Sequence, residues 1–163
     1  KYGAHAKMNP PLRSDMDREA VCQGLADGTL DAIATDHAPH TPREKAGNFA
    51  DAPNGVVGLE TSLAVSLRLV ENRCLSLARL IEKMSINPAR ILGIDNRLKT
   101  GNPADITLVD PRAAHRIDAA AFKSKGRNTP FDGWTVTGRA VMTLVDGEIV
   151  FEAEGSSPTH PSE

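Results

Sequence analysis

Cysteine is nearly absent from this 163-residue chain, which holds two, Cys22 and Cys74. Two thiols cannot build a zinc centre of cysteines, which takes about four ligands. Each lies in a helix-like segment, and the expectation is two free thiols, buried or half-buried, as in a reducing cytoplasm. Basic residues hold no excess. With 19 Lys and Arg against 21 Asp and Glu, the formal net charge is -2. That gives no footing for nucleic acid and no polybasic segment for a membrane surface. Long hydrophobic runs are missing too. The most apolar stretch, Leu59 to Val70, is broken by Glu60, Ser66 and Arg68, so nothing in it can span a bilayer. There are no internal repeats. What remains is an ordinary globular balance, 40% hydrophobic and 25% charged, long enough to bury one sizeable core.

Helices and strands are punctuated by local chemistry. Ser14 is a good N-cap, Asp15, Asp17 and Glu19 follow where acids favour the positive helix end, and Gly28 closes the segment. Ala20, Val21 and Leu25 give it an apolar face. Leu30 to Thr35 is short, apolar and bounded by turn signals, which predicts a buried parallel strand. Thr41 to Gly55 reads as a long loop with Arg43 and Lys45 in solvent. From Gly58 the pattern is helical, with Leu59, Leu63, Leu67 and Val70 on one face. Ser76 caps a second helix with Leu77, Leu80, Ile81 and Met84 inward. Asn87 as N-cap, Pro88 at the first position and Gly93 past the end predict a third. Beyond Arg97 the period becomes that of strands. Asp105 to Asp110 alternates, Pro111 to Asp132 is irregular with Lys123, Lys125 and Arg127 as surface charge, and Asp146-Gly147 joins two strands as a hairpin. His5, His115 and His160 fall outside every motif and read as surface residues.

One stretch carries chemistry. In Ala34-Thr35-Asp36-His37-Ala38-Pro39-His40 an apolar run ends in an acid, two imidazoles follow, and Pro39 stops any strand. An acid at the carboxyl end of a strand, on a short loop, is how an α/β active site presents one. Upstream, Asn9-Pro10-Pro11 holds a polar amide on a stiff backbone. Downstream, Asn54-Gly55 is a turn whose glycine lets backbone groups approach a ligand.

Three motifs together carry a resemblance. Lys7-Met8-Asn9-Pro10-Pro11-Leu12-Arg13, the Ala34–His40 stretch and Gly58-Leu59-Glu60-Thr61 resemble bacterial dihydroorotases of the class I type, in the amidohydrolase superfamily. The middle motif alone would also suit hydantoinases and allantoinases; the first points to dihydroorotase. The resemblance implies an α/β fold, the C-terminal part of a (β/α)8 barrel followed by strands of a small β-sandwich domain. Residues 1–96 would be barrel, 97–152 the small β-domain and 153–163 a disordered tail. It implies zinc, one or two ions, and the reversible closure of N-carbamoyl-L-aspartate to L-dihydroorotate in pyrimidine synthesis. It makes Asp36 a metal ligand and the general acid/base. It places Asn9 and His40 on substrate, with Asn54 and Gly55 contributing backbone groups. The compartment implied is the cytoplasm.

The same resemblance predicts an incomplete site. The family's His-x-His pair, its bridging carboxylate or modified lysine, two further histidines and an arginine for the substrate carboxylate have no counterpart here. A barrel takes roughly 250 residues, and this chain, which starts at Lys1, has room for about two of its βα units. The expectation is therefore a C-terminal portion, silent by itself, whose partner is the rest of the enzyme. Two alternatives stand beside it. One is a non-catalytic scaffold subunit, for example for aspartate transcarbamoylase, while uncovered strand edges and an apolar helix face predict self-association where the rest of the enzyme is missing. The other is another cyclic amidohydrolase, which Asn9 argues against.

Overall fold

The computed structural model describes residues 3–153. The expected disordered tail and His160 lie almost wholly or wholly outside them. After a single 3-10 turn, Gly3–Ala6, helix α1 runs over Asp15–Asp27. Its start is the capping box that Ser14 promised: the Ser14 side chain accepts from Asp17 N while Asp17 answers the Ser14 backbone. Gly28 ends it in the left-handed conformation, φ 95°. The apolar face is narrower than expected. Leu25 is buried, whereas Val21 is 52% exposed.

The predicted strand at Leu30–Thr35 does not form. These residues are irregular and mostly exposed. A strand needs a partner strand for its backbone groups, and here three of them bond a helix instead. Ile33 N donates to Lys83 O (2.9 Å), Asn87 Nδ2 donates to Asp31 O (2.9 Å), and Lys83 Nζ donates to Leu30 O. Ile33 alone turns toward the core cluster. A single parallel bridge appears just beyond the run, between His37 and Val56.

Part of the expected long loop folds into a short helix, α2 (Pro42–Lys45), with Thr41 and Glu44 forming its own capping box. Helix α3 covers Ser62–Glu71, later than the pattern from Gly58 implies, and leaves Leu59 exposed. Ser76 caps α4, Leu77–Ile81, as read. No break follows. The helix loosens into a π-type stretch at Glu82–Ile86 and continues as α5, Asn87–Leu92. Asn87 is therefore inside a helix rather than capping one, and its amide is free to bind Asp31. Gly93 closes α5 at φ 70°.

The core of this half is Leu25, Leu67, Leu75 and Leu80, with Leu63, Val70 and Met84 against it. Leu80 is fully buried, a contribution of about 1.5–3 kcal/mol for a leucine side chain. Leu77 and Ile81, expected inside, remain about two-fifths exposed, at 41% and 39%. The expected free thiols are also corrected. Cys22 of α1 and Cys74 are joined as a disulfide with Cα atoms 5.9 Å apart, so the argument from reduced thiols to a cytoplasmic setting loses its support.

The remainder is one antiparallel sheet in the order β1-β2-β3, with β1 Ile106–Arg116, β2 Thr135–Val145 and β3 Glu148–Glu152. Strand β1 is longer than expected because Pro111, which lacks a donor, falls in an irregularity between Asp110 and Ala114. Asp146 and Gly147 carry φ of 50° and 82°, the two left-handed residues a tight β-hairpin requires. A second cluster, Ala64, Ile117 and Val136 with Phe131 and Trp134, seats α3 on the sheet. Arg68 of α3 stacks over the Trp134 ring at 4.9 Å. His115 is half-buried rather than a free surface residue, with its Nδ1 unpartnered. Among the described residues no helix is long and apolar enough to cross a membrane.

Candidate active site

Three segments converge beside the His37–Val56 bridge: residues 34–40, residues 52–60 and the loop 122–130 between β1 and β2. Asp36 enters this junction in the left-handed region, φ 42°, and is exposed. A non-glycine residue there carries roughly 1 kcal/mol or more of strain, which surrounding bonds must hold.

His37 supplies part of that hold. Its Nδ1 accepts from the backbone N–H of Gly58 (3.1 Å) and Leu59 (3.3 Å). An Nδ1 that accepts leaves the proton on Nε2, which faces Ser124 Oγ at 3.5 Å. Ser124 in turn donates its hydroxyl to Glu60 Oε2 (2.9 Å) and its N–H to Glu60 Oε1 (2.7 Å). Burial works to raise the Glu60 carboxyl, and the two Ser124 bonds outweigh it and hold the group below its ordinary value. His37 is thus a structural clamp.

His40 is held at three points. Its N–H donates to Asn128 Oδ1 (2.9 Å), its Nε2 donates to Asn54 O (2.8 Å), and its Nδ1 lies 3.7 Å from Glu44 Oε2. A carbonyl partner fixes Nε2 as the protonated nitrogen of the neutral ring. Glu44 is itself held below its usual range, first by the Thr41 N–H and then by the Thr41 hydroxyl.

Gly55 lies where nothing larger would fit. Its φ is 123°, and a Cβ would fall 2.6 Å from Ala38 Cβ and 3.1 Å from His40 Nε2. Its N–H donates to Lys7 O (2.9 Å) and its carbonyl accepts from Asn128 Nδ2 (3.1 Å). The glycine therefore brings Ala38 and His40 close, with its own N–H engaged inside the chain. Asn54 and Asn9 are exposed, and Asn9 follows the tethered Lys7 by two residues, with a cis bond to Pro10.

Lys45 overturns its reading as a solvated side chain. It is 3% exposed, and its ammonium donates to Pro53 O (2.7 Å), Ala4 O (3.2 Å) and Lys7 O (3.4 Å). Burial, with the nearby Lys7 charge, lowers its pKa. One cation thereby ties the segment leading to Asn9 to the loop leading to Asn54. A cavity of about 240 Å³ opens between His5, His40, Thr41, Lys45 and Arg127. A larger one, about 470 Å³, lies between Leu12, Val21, Leu25 and Leu69. It is mostly apolar and does not touch Asp36 or His40, so it is a packing face rather than the seat of chemistry.

Sequence reasoning missed Asn128, Ser124 and Lys45. The available signal was Asn128-Thr129-Pro130, small polar residues and a proline within a run of charge.

The donor set does not suffice for a metal. Among the described residues there is no group of three or more His, Cys, Asp or Glu side chains that could hold an ion. A catalytic zinc needs about three protein ligands, and Asp36 offers one.

The chain belongs to the Amidohydrolase family, whose profile matches residues 7–150. Within it, the chain is 60% identical over 153 residues to a dihydroorotase of Desulforapulum autotrophicum and 56% identical to one of Geobacter sp. strain M21. These alignments cover 94% and 93% of this chain but 36% of each relative. The chain thus spans about a third of the curated proteins it matches. Among solved structures, the L-hydantoinase (dihydropyrimidinase) of Arthrobacter aurescens superposes with a TM-score of 0.86 at 37% identity, over 93% of this chain and 35% of that one.

Proposed function

We propose that this chain is one wall of a dihydroorotase active site, and that the activity belongs to a longer enzyme. The observation that carries the reading is the meeting of His40 with Asn54 and Gly55, four residues on from an exposed Asp36, in a sequence 60% identical to a dihydroorotase. Residues 1–96 would form the last part of a (β/α)8 barrel, and residues 97–152 a small β-domain whose three strands make part of a sandwich.

The chemistry follows from the groups. In ring opening of dihydroorotate, a water oxygen attacks the amide carbonyl, Asp36 accepts the water proton, and the same carboxyl returns it to the ring nitrogen as the C–N bond breaks. Closure reverses the steps. Asn9 and His40 orient the substrate, whose amides and carboxylate need both donors and acceptors, and Asn54 forms the rim, placed there by Gly55, whose N–H and carbonyl are both bonded inside the chain. Zinc, if bound in the longer enzyme, would take Asp36 as one ligand and the others from residues this chain does not contain. Partnership with aspartate transcarbamoylase belongs to the scaffold alternative, and pairing with a second copy to the piece without the rest of the enzyme.

The test is an assay of the longer, zinc-loaded enzyme on dihydroorotate. Asp36→Ala should lower the rate by about 10²–10⁴, the usual worth of a positioned acid/base. Unchanged turnover would remove Asp36 from the mechanism. The resemblance to an L-hydantoinase favours a second substrate class, so hydantoins are assayed in parallel. Faster opening of hydantoin than of dihydroorotate would replace the first reading with the second.

A further inference from the structure

We propose that Asn128 is the positioning residue of this site, setting the spacing between the His40 segment and the Asn54–Gly55 segment from a loop far away in sequence. The inference rests on the substrate-facing assignment of those two segments. Asn128 is 1% exposed, and its whole side-chain amide is engaged. Oδ1 accepts from His40 N (2.9 Å), while Nδ2 donates to Ala38 O (2.9 Å) and Gly55 O (3.1 Å). Its own carbonyl accepts from Val57 N (3.0 Å). One residue thus bridges both loops at four points.

Only a primary amide suits this place. The position needs an acceptor on one side and two donors on the other, all in one plane, and asparagine offers that set. A carboxylate would keep the acceptor for His40 but would face two carbonyl oxygens. The loop is pressed into contact as well. A Cβ on Gly126 would lie 2.7 Å from Pro39 Cβ and 2.8 Å from Asn128 Oδ1. A residue that only supported the fold could sit here with fewer bonds. Thr129, next in sequence and 4% exposed, is such a residue. Its hydroxyl accepts from Phe131 N (3.2 Å), inside its own loop.

The experiment compares Asn128→Ala, Asn128→Asp and Thr129→Ala in the longer enzyme that carries this chain. It reads KM and kcat for dihydroorotate and the exchange rate of the His40 backbone amide. Asn128→Ala should speed His40 exchange and raise KM, each by about tenfold, the size of one lost hydrogen bond. Asn128→Asp should raise KM as much while His40 stays protected, because its acceptor remains. Thr129→Ala should lower the melting temperature and leave both readouts within about twofold. The proposal fails if KM of a folded Asn128 variant stays within that range, or if Thr129→Ala raises KM equally. Where Asn128→Ala does not fold, Asn128→Asp decides by the same KM criterion. A wild-type enzyme inert toward dihydroorotate would sink the function reading instead, and His40 exchange in Asn128→Ala against Thr129→Ala would then judge the positioning role.

Discussion

Replacing Gly55 by alanine puts the packing of the site to a quantitative test. The added Cβ would lie 2.6 Å from Ala38 Cβ, about 1 Å inside the ordinary carbon–carbon contact of ~3.5–4.0 Å. Ala38 Cβ cannot rotate away, so the two loops must part. The backbone at φ 123° adds strain of about 1–3 kcal/mol for an L residue. Overpacking adds a further ~1–3 kcal/mol, so the total is roughly 2–6 kcal/mol. That is a large share of the ~5–15 kcal/mol that holds a domain together, yet within it. Parting the loops also stretches the 2.8 Å bond from His40 to Asn54 O, which predicts a higher KM. A control comes from the other end of the chain. Gly138 in β2 has φ 95°, and a Cβ there would fall 2.1 Å from Leu67 Cδ1 of α3. Gly138→Ala disturbs the α3–sheet contact without touching His40. Urea denaturation and steady-state kinetics on the longer enzyme separate the two. Both variants should lose about 2–6 kcal/mol, and Gly55→Ala alone should raise KM, by about tenfold or more. A Gly55→Ala enzyme within ~0.5 kcal/mol of wild type, with unchanged KM, would refute the reasoning.

Two further perturbations test the ties around this site. Lys45→Met strips the shared donor from the carbonyls of Ala4, Lys7 and Pro53. Unpaired buried acceptors cost ~1–3 kcal/mol each, and relief from burying a charge returns part of that, so a net loss of about 2–3 kcal/mol is expected by thermal denaturation. A neutral result would mean that the ammonium is not the tie. Glu44 sets an acid limit. Its folded pKa lies below the ordinary 4.5 through the Thr41 N–H and hydroxyl, so the unfolded chain binds the proton more readily. The resulting stability is fully present above pH 4.5 and is lost as pH falls through the folded value. Amide exchange in α2 should accelerate below that point in the wild type, and Glu44→Gln should remove the dependence. Equal acid sensitivity in the variant would place its origin elsewhere.

Local chemistry was legible and long-range bonding was not. Ser14, Gly28, Ser76, Gly93 and Asp146-Gly147 mark element ends through groups within a few residues of one another, and each does its job in the fold. The Leu30–Thr35 run failed as a strand because its apolar character does not say what its backbone will bond. Two of its carbonyls bond the Lys83–Asn87 stretch, more than fifty residues on, and most of the run stays exposed. Leu77 and Ile81 misled in the same way, since periodicity names a face and not the body that meets it. At the site, the Asp36–His40 motif was visible as a motif. Asn128 bonds His40 and Gly55 across separations of 88 and 73 residues, and Ser124 reaches Glu60 across 64. No local pattern encodes such pairs.

The way polar groups are used within the cluster says where the remaining chemistry must lie. His37 Nδ1 holds backbone amides, Lys45 holds three carbonyls, and Asn128 holds both loops. Each of these groups has the chemistry to act on a substrate, and each is occupied with fixing geometry. Asp36, beside them, is exposed and in the left-handed region. Under the proposed function this cluster presents one acid to a second wall; among the described residues there is no group of three or more side chains that could hold a metal. On the reading as a dihydroorotase, the groups that polarise the amide and grip the carboxylate stand on that second wall, facing Asp36. Adding the remaining two-thirds of the enzyme as a separate chain should then restore zinc binding and dihydroorotate turnover together. Restoration of neither, with both pieces folded, would overturn the two-wall picture.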